Sequence, residues 1–379
     1  MLKPGYKQTD LGVLPEEWEV KPLGQLAHIK TGKKNNDDKV EGGKYPFFVR
    51  SQHVEEIDSY SFDGEAILLP GEGNIGSIFH YINGKFDYHQ RVYKVSNFAP
   101  GISGRFIYYY MAQNFGAHAA TNTVKATVDS LRLPTFQEFT IALPPANEQQ
   151  NIATALSAVD ELLNSKQQLL TKKRALKLAT QQALLSGKQR LPGFAGDWKL
   201  RILGEVIKIK HGKSQHSVVD ENGRYPILAT GGIIGRTNSY LCDKPSVLIG
   251  RKGTIDSPQY MDQPFWTVDT LFYTEIIGDN SPKFIFYTFQ LIDWYFYNEA
   301  SGVPSLNAST IEKIEVKFPS PAEQRAIAAI LSDMDAEIEA LAAQLAKTQA
   351  LKQGMMQDLL TGTIRLAAGA APTSTPPTP

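Results

Sequence analysis

Cysteine is almost absent from this sequence, with Cys242 the single one among 379 residues. An intrachain disulfide is therefore excluded, which fits a reducing compartment. The first residues, MLKPGYKQTDLGVLPEEW, have no apolar stretch like that of a signal peptide. The longest aromatic run, FIFYTFQLIDWYFYN, is too short to span a bilayer and carries Asp293. We therefore expect a cytoplasmic protein with no membrane partner.

Excess charge of either sign is also missing, because 39 basic residues balance 39 acidic ones. A protein that coats nucleic acid without sequence preference is normally strongly basic, so this class is disfavoured, although local basic patches are still allowed. The seven histidines show no metal-ligand spacing with the cysteine, so we predict no metal site. The length exceeds that of most single cores and predicts at least two domains.

An internal repeat is the strongest feature that is present. LPEEWEVKPLGQLAHIKTGKK near the beginning matches FAGDWKLRILGEVIKIKHGKS 180 positions later, and GRFIYYYMAQ matches PKFIFYTFQL. A third block begins at Ser130 and Ser305 and runs without a gap to LLSGKQRL and LLTGTIRL, at a constant offset of 175. So long a match at constant offset indicates two copies of one unit.

Each copy ends in a long predicted helix that follows prolines and stops before a glycine, at Ser186-Gly187 and at Thr361-Gly362. In the second copy, Ser320 and Glu323 predict a capping box. Apolar residues recur along both helices at the 4-3 spacing of a coiled coil, which Lys166 interrupts in the first copy. The predicted seam consists of Ile152, Leu156, Val159, Leu163, Leu170, Ile327, Leu331, Met334, Ile338, Leu341 and Leu345. The simplest partner for each helix is the other, running antiparallel; the alternative is that each is buried separately in its own domain.

The remaining segments mix short apolar runs (EAILLP, PSVLIG, FTIALP, IEVKFP) with glycine-rich turns and apolar helices near 104–115 and 282–296. We therefore predict an α+β fold: two similar α/β globular domains separated by two long antiparallel coiled-coil helices, as a pseudo-two-fold internal repeat. The predicted segments are a first globular domain 1–145, a first spacer helix 146–187, a second globular domain 188–320, a second spacer helix 321–362 and a disordered tail 363–379.

The layout resembles that of the specificity subunit of type I restriction–modification systems. The similarity covers residues 6–366 and rests most on LPPANEQQNIA and FPSPAEQRAIA at the helix starts and on the two W-x-x-x-x-LG domain starts. It implies that each globular part is a target recognition domain reading half of a bipartite, asymmetric double-stranded DNA target. The helices would then set the gap between the half-sites.

The resemblance also implies partners. The chain itself would have no catalytic activity and would bind no cofactor. It would assemble with two methyltransferase subunits that use S-adenosylmethionine to methylate adenine, and motor–nuclease subunits can join them for restriction.

Motifs that could indicate catalysis are weak. GEGNIG at 71–76 matches G-x-G-x-x-G, but the second copy has RKGTID, so we interpret these glycines as turn residues. LPPA at 143–146 lacks the polar and aromatic neighbours of an adenine methyltransferase motif. HGKS at 211–214 has Ile207 where a P-loop would need its first glycine.

Candidate DNA-binding residues are polar side chains in predicted loops at matching places of the two copies, because such groups read base edges and phosphates. The glycine of each TGKK or HGKS loop is predicted to let that loop approach the duplex closely. The candidates are Lys33, Lys34, Asn35, Arg50, Gln52, Glu72, Asn74, His89, Gln90, Arg91, Lys125, Lys213, Ser214, Gln215, Thr230, Gly231, Arg251, Lys252, Thr254 and Asp269.

Two other functions fit the same architecture. A degenerate or decoy adaptor would occupy methyltransferase subunits without reading DNA productively, and the balanced charge agrees with it. A purely structural coiled-coil bridging protein would show no salt-dependent DNA binding, whereas phosphate contacts make affinity fall steeply with salt.

Overall fold

A computed structural model describes residues 3–122 and 130–366. The chain divides into two compact units. Unit 1 contains residues 1–166 and 344–379, and unit 2 contains residues 167–343. Each unit therefore holds one globular part, the first half of the helix that follows it, and the second half of the other long helix.

Unit 1 combines strands with helices. Its strands are β1 (Tyr6–Thr9), β2 (Gly12–Pro15), β3 (Glu19–Pro22), β4 (His28–Thr31), β5 (Tyr45–Phe48), β6 (Glu55–Ile57), β7 (Phe62–Pro70), β8 (His80–Tyr88), β9 (Val92–Ser96) and β10 (Thr140–Leu143). The helices are α1 (Leu23–Leu26), α2 (Gly104–Asn122), α3 (Leu133–Gln137) and the long α4 (Ala146–Leu185), which continues into unit 2.

Unit 2 repeats this arrangement. Its strands are β11 (Lys199–Ile202), β12 (Ile207–His211), β13 (Tyr225–Ala229), β14 (Gly232–Thr237), β15 (Ser246–Gly250), β16 (Gln259–Met261), β17 (Trp266–Thr267), β18 (Leu271–Ile276) and β19 (Glu315–Phe318). Its helices are α5 (Pro282–Phe289), α6 (Ala308–Glu312) and the long α7 (Pro321–Leu360), which continues into unit 1.

The sheets of the two units have matching strand orders. In unit 1 the order is β4-β9-β7-β8-β5-β6, with β5 and β8 parallel and the other pairs antiparallel. Unit 2 has β12-β18-β15-β16 and β14-β13-β17, in which β13 and β17 are the parallel pair. The long strand β8 is thus replaced by two short strands, β16 and β17, and the sheet divides there. The predicted α+β class and internal repeat are confirmed.

The core of each unit combines the globular part with both long helices. In unit 1, Phe106 and Phe115 of α2 pack with Leu156 of α4 and with Met356 and Leu359 of α7. In unit 2, the equivalent core contains Phe284 of α5, Leu184 of α4 and Leu331 of α7. The first turns of each long helix are therefore buried against the globular part that precedes them. All eleven predicted seam residues are buried or half-buried.

Within each unit the two helix segments run antiparallel and are tied by matching ion pairs. In unit 1, Lys352 Nζ lies 2.6 Å from Asp160, which also accepts the hydroxyl of Tyr109 at 2.7 Å. In unit 2, Lys177 Nζ lies 2.5 Å from Asp335, which accepts the hydroxyl of Tyr287 at 2.7 Å. The tyrosines come from the globular parts, so each network joins three elements.

Two sequence predictions need correction at the helix starts and at the apolar helices. Ser320 Oγ accepts the amide of Glu323 at 3.4 Å, but the Glu323 carboxylate is bound by Arg190 at 2.6 and 2.8 Å, so only half of the capping box forms. The helix predicted at 282–296 ends at Phe289, because the Asp293 side chain accepts the amide of Tyr295 and starts a separate 3-10 turn. The first apolar helix is longer than predicted and reaches Asn122.

Other predictions at the helix ends and strands are confirmed. The long helices end at Leu185 and Leu360, and Gly187 and Gly362 follow with φ of 71° and 70°. The four apolar runs form β7, β15, β10 and β19. Among the described residues no helix is long and apolar enough to cross a bilayer.

Candidate nucleic-acid interface

Loops that follow four strands of the unit 1 sheet bring ten of the twenty candidate residues together. We call residues 33–35, 50–52, 72–74 and 89–91 the first platform. They follow β4, β5, β7 and β8 respectively, and all four strands belong to one sheet. The amide of Gln90 donates to the carbonyl of Lys34 at 2.8 Å, and the amide of Gly71 donates to the carbonyl of Arg91 at 2.9 Å. Backbone contacts therefore fix the loops against one another.

Glu72 is the centre of the first platform. Its carboxylate forms ion pairs with Arg91 and, at 3.6 Å, with Arg50. Both arginine side chains stay about half exposed, at 51% and 43%. Clefts lie on both sides of Glu72, one reaching Gln90 and Arg91 and the other reaching Arg50 and Asn74. The arrangement presents two arginine forks and amide groups, which are hydrogen-bonding groups suited to base edges.

His89 supports the platform from inside. It is buried, with 2% exposed. Its Nδ1 accepts the amide of Arg91 at 2.9 Å, so Nε2 carries the proton and donates to Asn35 Oδ1 at 3.1 Å. Burial lowers the pKa of His89, and the positive charge of Arg50 adds a smaller effect in the same direction. A neutral imidazole thus joins two loops of the platform, whose outer surface is formed by its neighbours.

Loops of unit 2 form a second platform, residues 213–215, 230–231, 251–254 and 269–270. The amide of Arg251 donates to the carbonyl of Thr270 at 2.8 Å, as the amide of Gly71 does to Arg91 in unit 1. Lys252 pairs with Ser305 in a β-bridge, as Glu72 does with Ser130. The backbone framework is therefore repeated.

The side chains on the second platform are different. Lys252 stands where unit 1 has Glu72, and Thr230 and Thr270 stand where it has Arg50 and Arg91. Arg251 and Lys252 are exposed, and Arg251 donates to the carbonyl of Asp269 at 3.1 Å. The second platform therefore offers cations and hydroxyls in place of an acid held between two arginines.

The glycine before each lysine has a structural reason within the protein itself. A Cβ at Gly32 would come within 2.6 Å of the carbonyl oxygen of His89 and still closer to that of Tyr88. At Gly212 it would come within 2.6 Å of the carbonyl oxygen of Thr267. These glycines let the loop approach the protein's own neighbouring backbone, and the close approach of the loop to a duplex stays a prediction.

Several candidates have simple positions. Lys33, Gln52, Asn74, Lys213, Ser214, Gly231 and Thr254 are exposed, while Lys34 and Gln215 are half-buried. Lys125 and most of the predicted tail lie outside the described residues. Sequence reasoning missed Arg132, an exposed side chain that borders the cleft beside Arg91. Its signal was its place beside Ser130 and Leu131, where the third repeated block begins.

The described residues contain no group of three or more histidine, cysteine or acidic side chains placed to hold a metal. The glycines of GEGNIG lie in a turn, with φ of 81° at Gly73 and 70° at Gly76. The interpretation of these glycines as turn residues is confirmed.

Comparison with known proteins gives one consistent result. Residues 15–172 and 195–348 each match the family described as the type I restriction modification DNA specificity domain. The type I restriction enzyme EcoDI specificity subunit of Escherichia coli is 33% identical over 148 residues, 39% of this chain and 32% of that protein. The MjaVIII specificity subunit of Methanocaldococcus jannaschii is 25% identical and covers 93% of this chain and 94% of its own length.

A solved structure shares the fold. The type I restriction–modification system S subunit from M. genitalium superimposes with a TM-score of 0.72 at 19% identity, covering 94% of this chain and 99% of that one. Two family matches in one chain correspond to the two globular parts of the repeat.

Proposed function

Because the chain belongs to the family of type I restriction–modification DNA specificity subunits, we propose that units 1 and 2 each read one half of a bipartite double-stranded DNA target. The first platform reads one half-site and the second platform reads the other. The chain acts as a recognition subunit, and the chemistry is carried out by its partners.

One observation carries this proposal: the same backbone framework presents different side chains in the two units. Glu72 between Arg50 and Arg91 is replaced by Lys252 between Thr230 and Thr270. A duplicated structural part would keep its side chains, whereas a duplicated reader of unlike sequences would keep its framework and change them. The target is accordingly asymmetric.

The side chains suit this task chemically. Arginine forks bind guanine edges, a carboxylate accepts from the cytosine amine, and threonine hydroxyls serve several bases. The exposed Lys33 and Lys213 and the half-buried Lys34 bind phosphates and fix the register. Binding should then weaken steeply as salt rises, because phosphate contacts release counterions.

The partners in this proposal are two methyltransferase subunits, with motor–nuclease subunits joining in the restriction form. S-adenosylmethionine binds in the methyltransferase, which must take the target adenine out of the base stack before it can methylate it. The long helices α4 and α7 act as a spacer that sets the gap between half-sites. At 1.5 Å per residue, each 40-residue helix is about 60 Å long.

The first experiment is to co-express the chain with its methyltransferase in a host without adenine methylation and to map modified adenines across the genome. A single asymmetric bipartite motif is expected. If the purified complex has the correct mass but no adenine is modified, the reading function is wrong and a decoy or bridging role takes its place.

Two alterations test the assignment of parts. Replacing residues 1–145 by another recognition domain should change only one half of the motif, and a change in both halves would contradict the division. Removing seven residues from both long helices together should shorten the gap by about 10 Å, or roughly three base pairs. An unchanged gap would contradict the spacer role.

A further inference from the structure

The hairpin formed by β13 and β14 carries two exposed apolar side chains at its tip. Ile233 is 64% exposed and Ile234 is 53% exposed, although both lie in a strand of unit 2. The pairing of the two strands shifts between Ile227 and Leu228, so that Ile234 is an extra residue opposite that step. Such a β-bulge redirects side chains, and here consecutive isoleucines both reach the surface.

The tip is held firmly within the second platform. Gln259 Nε2 donates to the carbonyl of Ala229 at 2.9 Å and lies 3.3 Å from that of Thr230. A Cβ at Gly253 would lie 4.0 Å from Thr230 Oγ1, so the loop that carries Arg251 and Lys252 adjoins the hairpin. The isoleucines are therefore presented next to exposed cations.

The framework itself does not require these isoleucines. Tyr45 pairs with Ile57 in unit 1 as Tyr225 pairs with Thr237 in unit 2, which makes His53 and Val54 the equivalents of Ile233 and Ile234. The His53 side chain is 76% exposed and polar, and Val54 is half-buried against the core of unit 1, so neither position of unit 1 carries a largely exposed apolar side chain. Two apolar side chains kept in water gain nothing from burial, so their exposure favours a ligand with an apolar group.

We propose that the β13–β14 hairpin enters the major groove of the second half-site and that Ile233 and Ile234 contact thymine C5-methyl groups there. This inference rests on the proposed function. The major groove is about 12 Å wide and admits a two-stranded ribbon, and the thymine methyl is the apolar group on its base edges. Arg251 and Lys252 beside the tip supply the charge that binds the phosphates.

Replacing thymine by deoxyuridine removes this methyl and leaves every hydrogen-bonding group in place. The measurement is the dissociation constant of the chain in complex with its methyltransferase, on duplexes that carry the mapped motif. Deoxyuridine at one or two positions of the second half-site should weaken binding about fourfold per methyl lost. In Ile233→Ala and Ile234→Ala complexes this penalty should disappear, because the contacting side chain is gone.

Val219→Ala is the matched control, since Val219 is 55% exposed in the same unit but lies outside the hairpin tip. It should keep the full deoxyuridine penalty. Specific binding without any penalty, or a penalty that survives both isoleucine substitutions, would overturn this inference and leave the proposed function intact. If the substitutions impair only assembly with the methyltransferase, this inference is likewise overturned and the proposed function is left intact. A wild-type complex that does not distinguish the motif from a scrambled duplex would overturn both.

Discussion

The two platforms differ at their centres while their backbones agree. In unit 1 an acidic residue, Glu72, is held between two arginines. In unit 2 a basic residue, Lys252, occupies the equivalent place between two threonines. The hydrogen bonds beneath them are equivalent: the amide of Leu131 donates to Gly71 at 2.8 Å, and that of Leu306 donates to Arg251 at 2.9 Å.

This difference shows which parts of the fold are free to change. The loops are positioned by main-chain hydrogen bonds and by glycines, neither of which depends on the exposed side chains. Reversal of charge at the centre therefore leaves the framework as it is. We infer that recognition can be altered in one unit without rebuilding the other, and four experiments test whether the two frameworks are equivalent.

The largest effect should come from Gly32 and Gly212, which occupy equivalent positions in the two units. Gly32→Ala and Gly212→Ala each drive a Cβ into neighbouring carbonyl oxygens, so each should destabilise its unit by several kcal/mol, on the order of 3–5. Denaturant unfolding of each variant measures this. Gly231→Ala is the control, because its Cβ meets nothing within 4 Å. A large loss at only one of Gly32 and Gly212 would mean that the frameworks are not equivalent.

Charge reversal at the platform centres should have the next largest effect. Glu72→Lys removes the anchor of Arg50 and Arg91, and Lys252→Glu opposes phosphate. Each should reduce affinity about 10- to 100-fold for duplexes carrying the intact half-site of its own unit.

The measurement is binding to duplexes in which one half-site at a time is scrambled. Lys317→Glu, an exposed position on β19 outside the second platform, is the control for charge alone. If Glu72→Lys altered discrimination at the second half-site instead, the assignment of one platform to each half-site would be wrong.

A smaller difference is expected at the matching tryptophans. The indole of Trp18 donates to the buried carboxylate of Glu148 at 3.1 Å, whereas the buried Nε1 of Trp198 has no partner among the described residues. Trp198 instead lies beside Arg190, 5.8 Å from its ring centroid. Trp18→Phe should therefore cost about 1–3 kcal/mol more in unfolding free energy than Trp198→Phe.

A double-mutant cycle of Trp18→Phe with Glu148→Met, which has no comparable acceptor, separates the hydrogen bond from the loss of ring volume. No coupling between the two positions would show that the bond contributes nothing to stability.

The smallest effect should be the pH dependence of unit 1. Burial lowers the pKa of His89 in the folded chain. As pH falls, the unfolded chain therefore binds this proton at a higher pH than the folded chain does. Stability of unit 1 is complete above the ordinary histidine pKa of about 6.5 and decreases as pH drops below it. His80, whose pKa burial also lowers, acts in the same direction. The equivalent of His89 in unit 2 is Val268, which does not titrate.

Thermal midpoints at pH 7.5 and pH 5.5 test this for wild type and His89→Gln. In the variant the thermal midpoint should decrease less between pH 7.5 and pH 5.5. Glutamine can accept from the Arg91 amide and donate to Asn35 without titrating. An identical decrease in both proteins would exclude His89 as a cause.

Sequence reasoning reached the repeat, the long helices and the strands because these depend on local pattern and spacing. It failed where a contact joins distant residues. The carboxylate of Glu323 was assigned to its own helix start, yet Arg190, 133 positions away, binds it. For Gly32 the sequence suggests only a close approach to the duplex, because the carbonyl oxygen that it approaches in the fold belongs to another strand. Sequence reasoning missed Ile233 and Ile234 because it sought polar side chains for base edges.

The exchange of helix segments between the units has a consequence for synthesis. Met356, Leu359 and Leu360 complete the core of unit 1, so that core cannot close until the ribosome has made them. All residues of unit 2, 167–343, are translated before these three. Since domains usually fold as they emerge, the unit translated first should be the last to finish folding. Until then its aromatic core should stay accessible to chaperones.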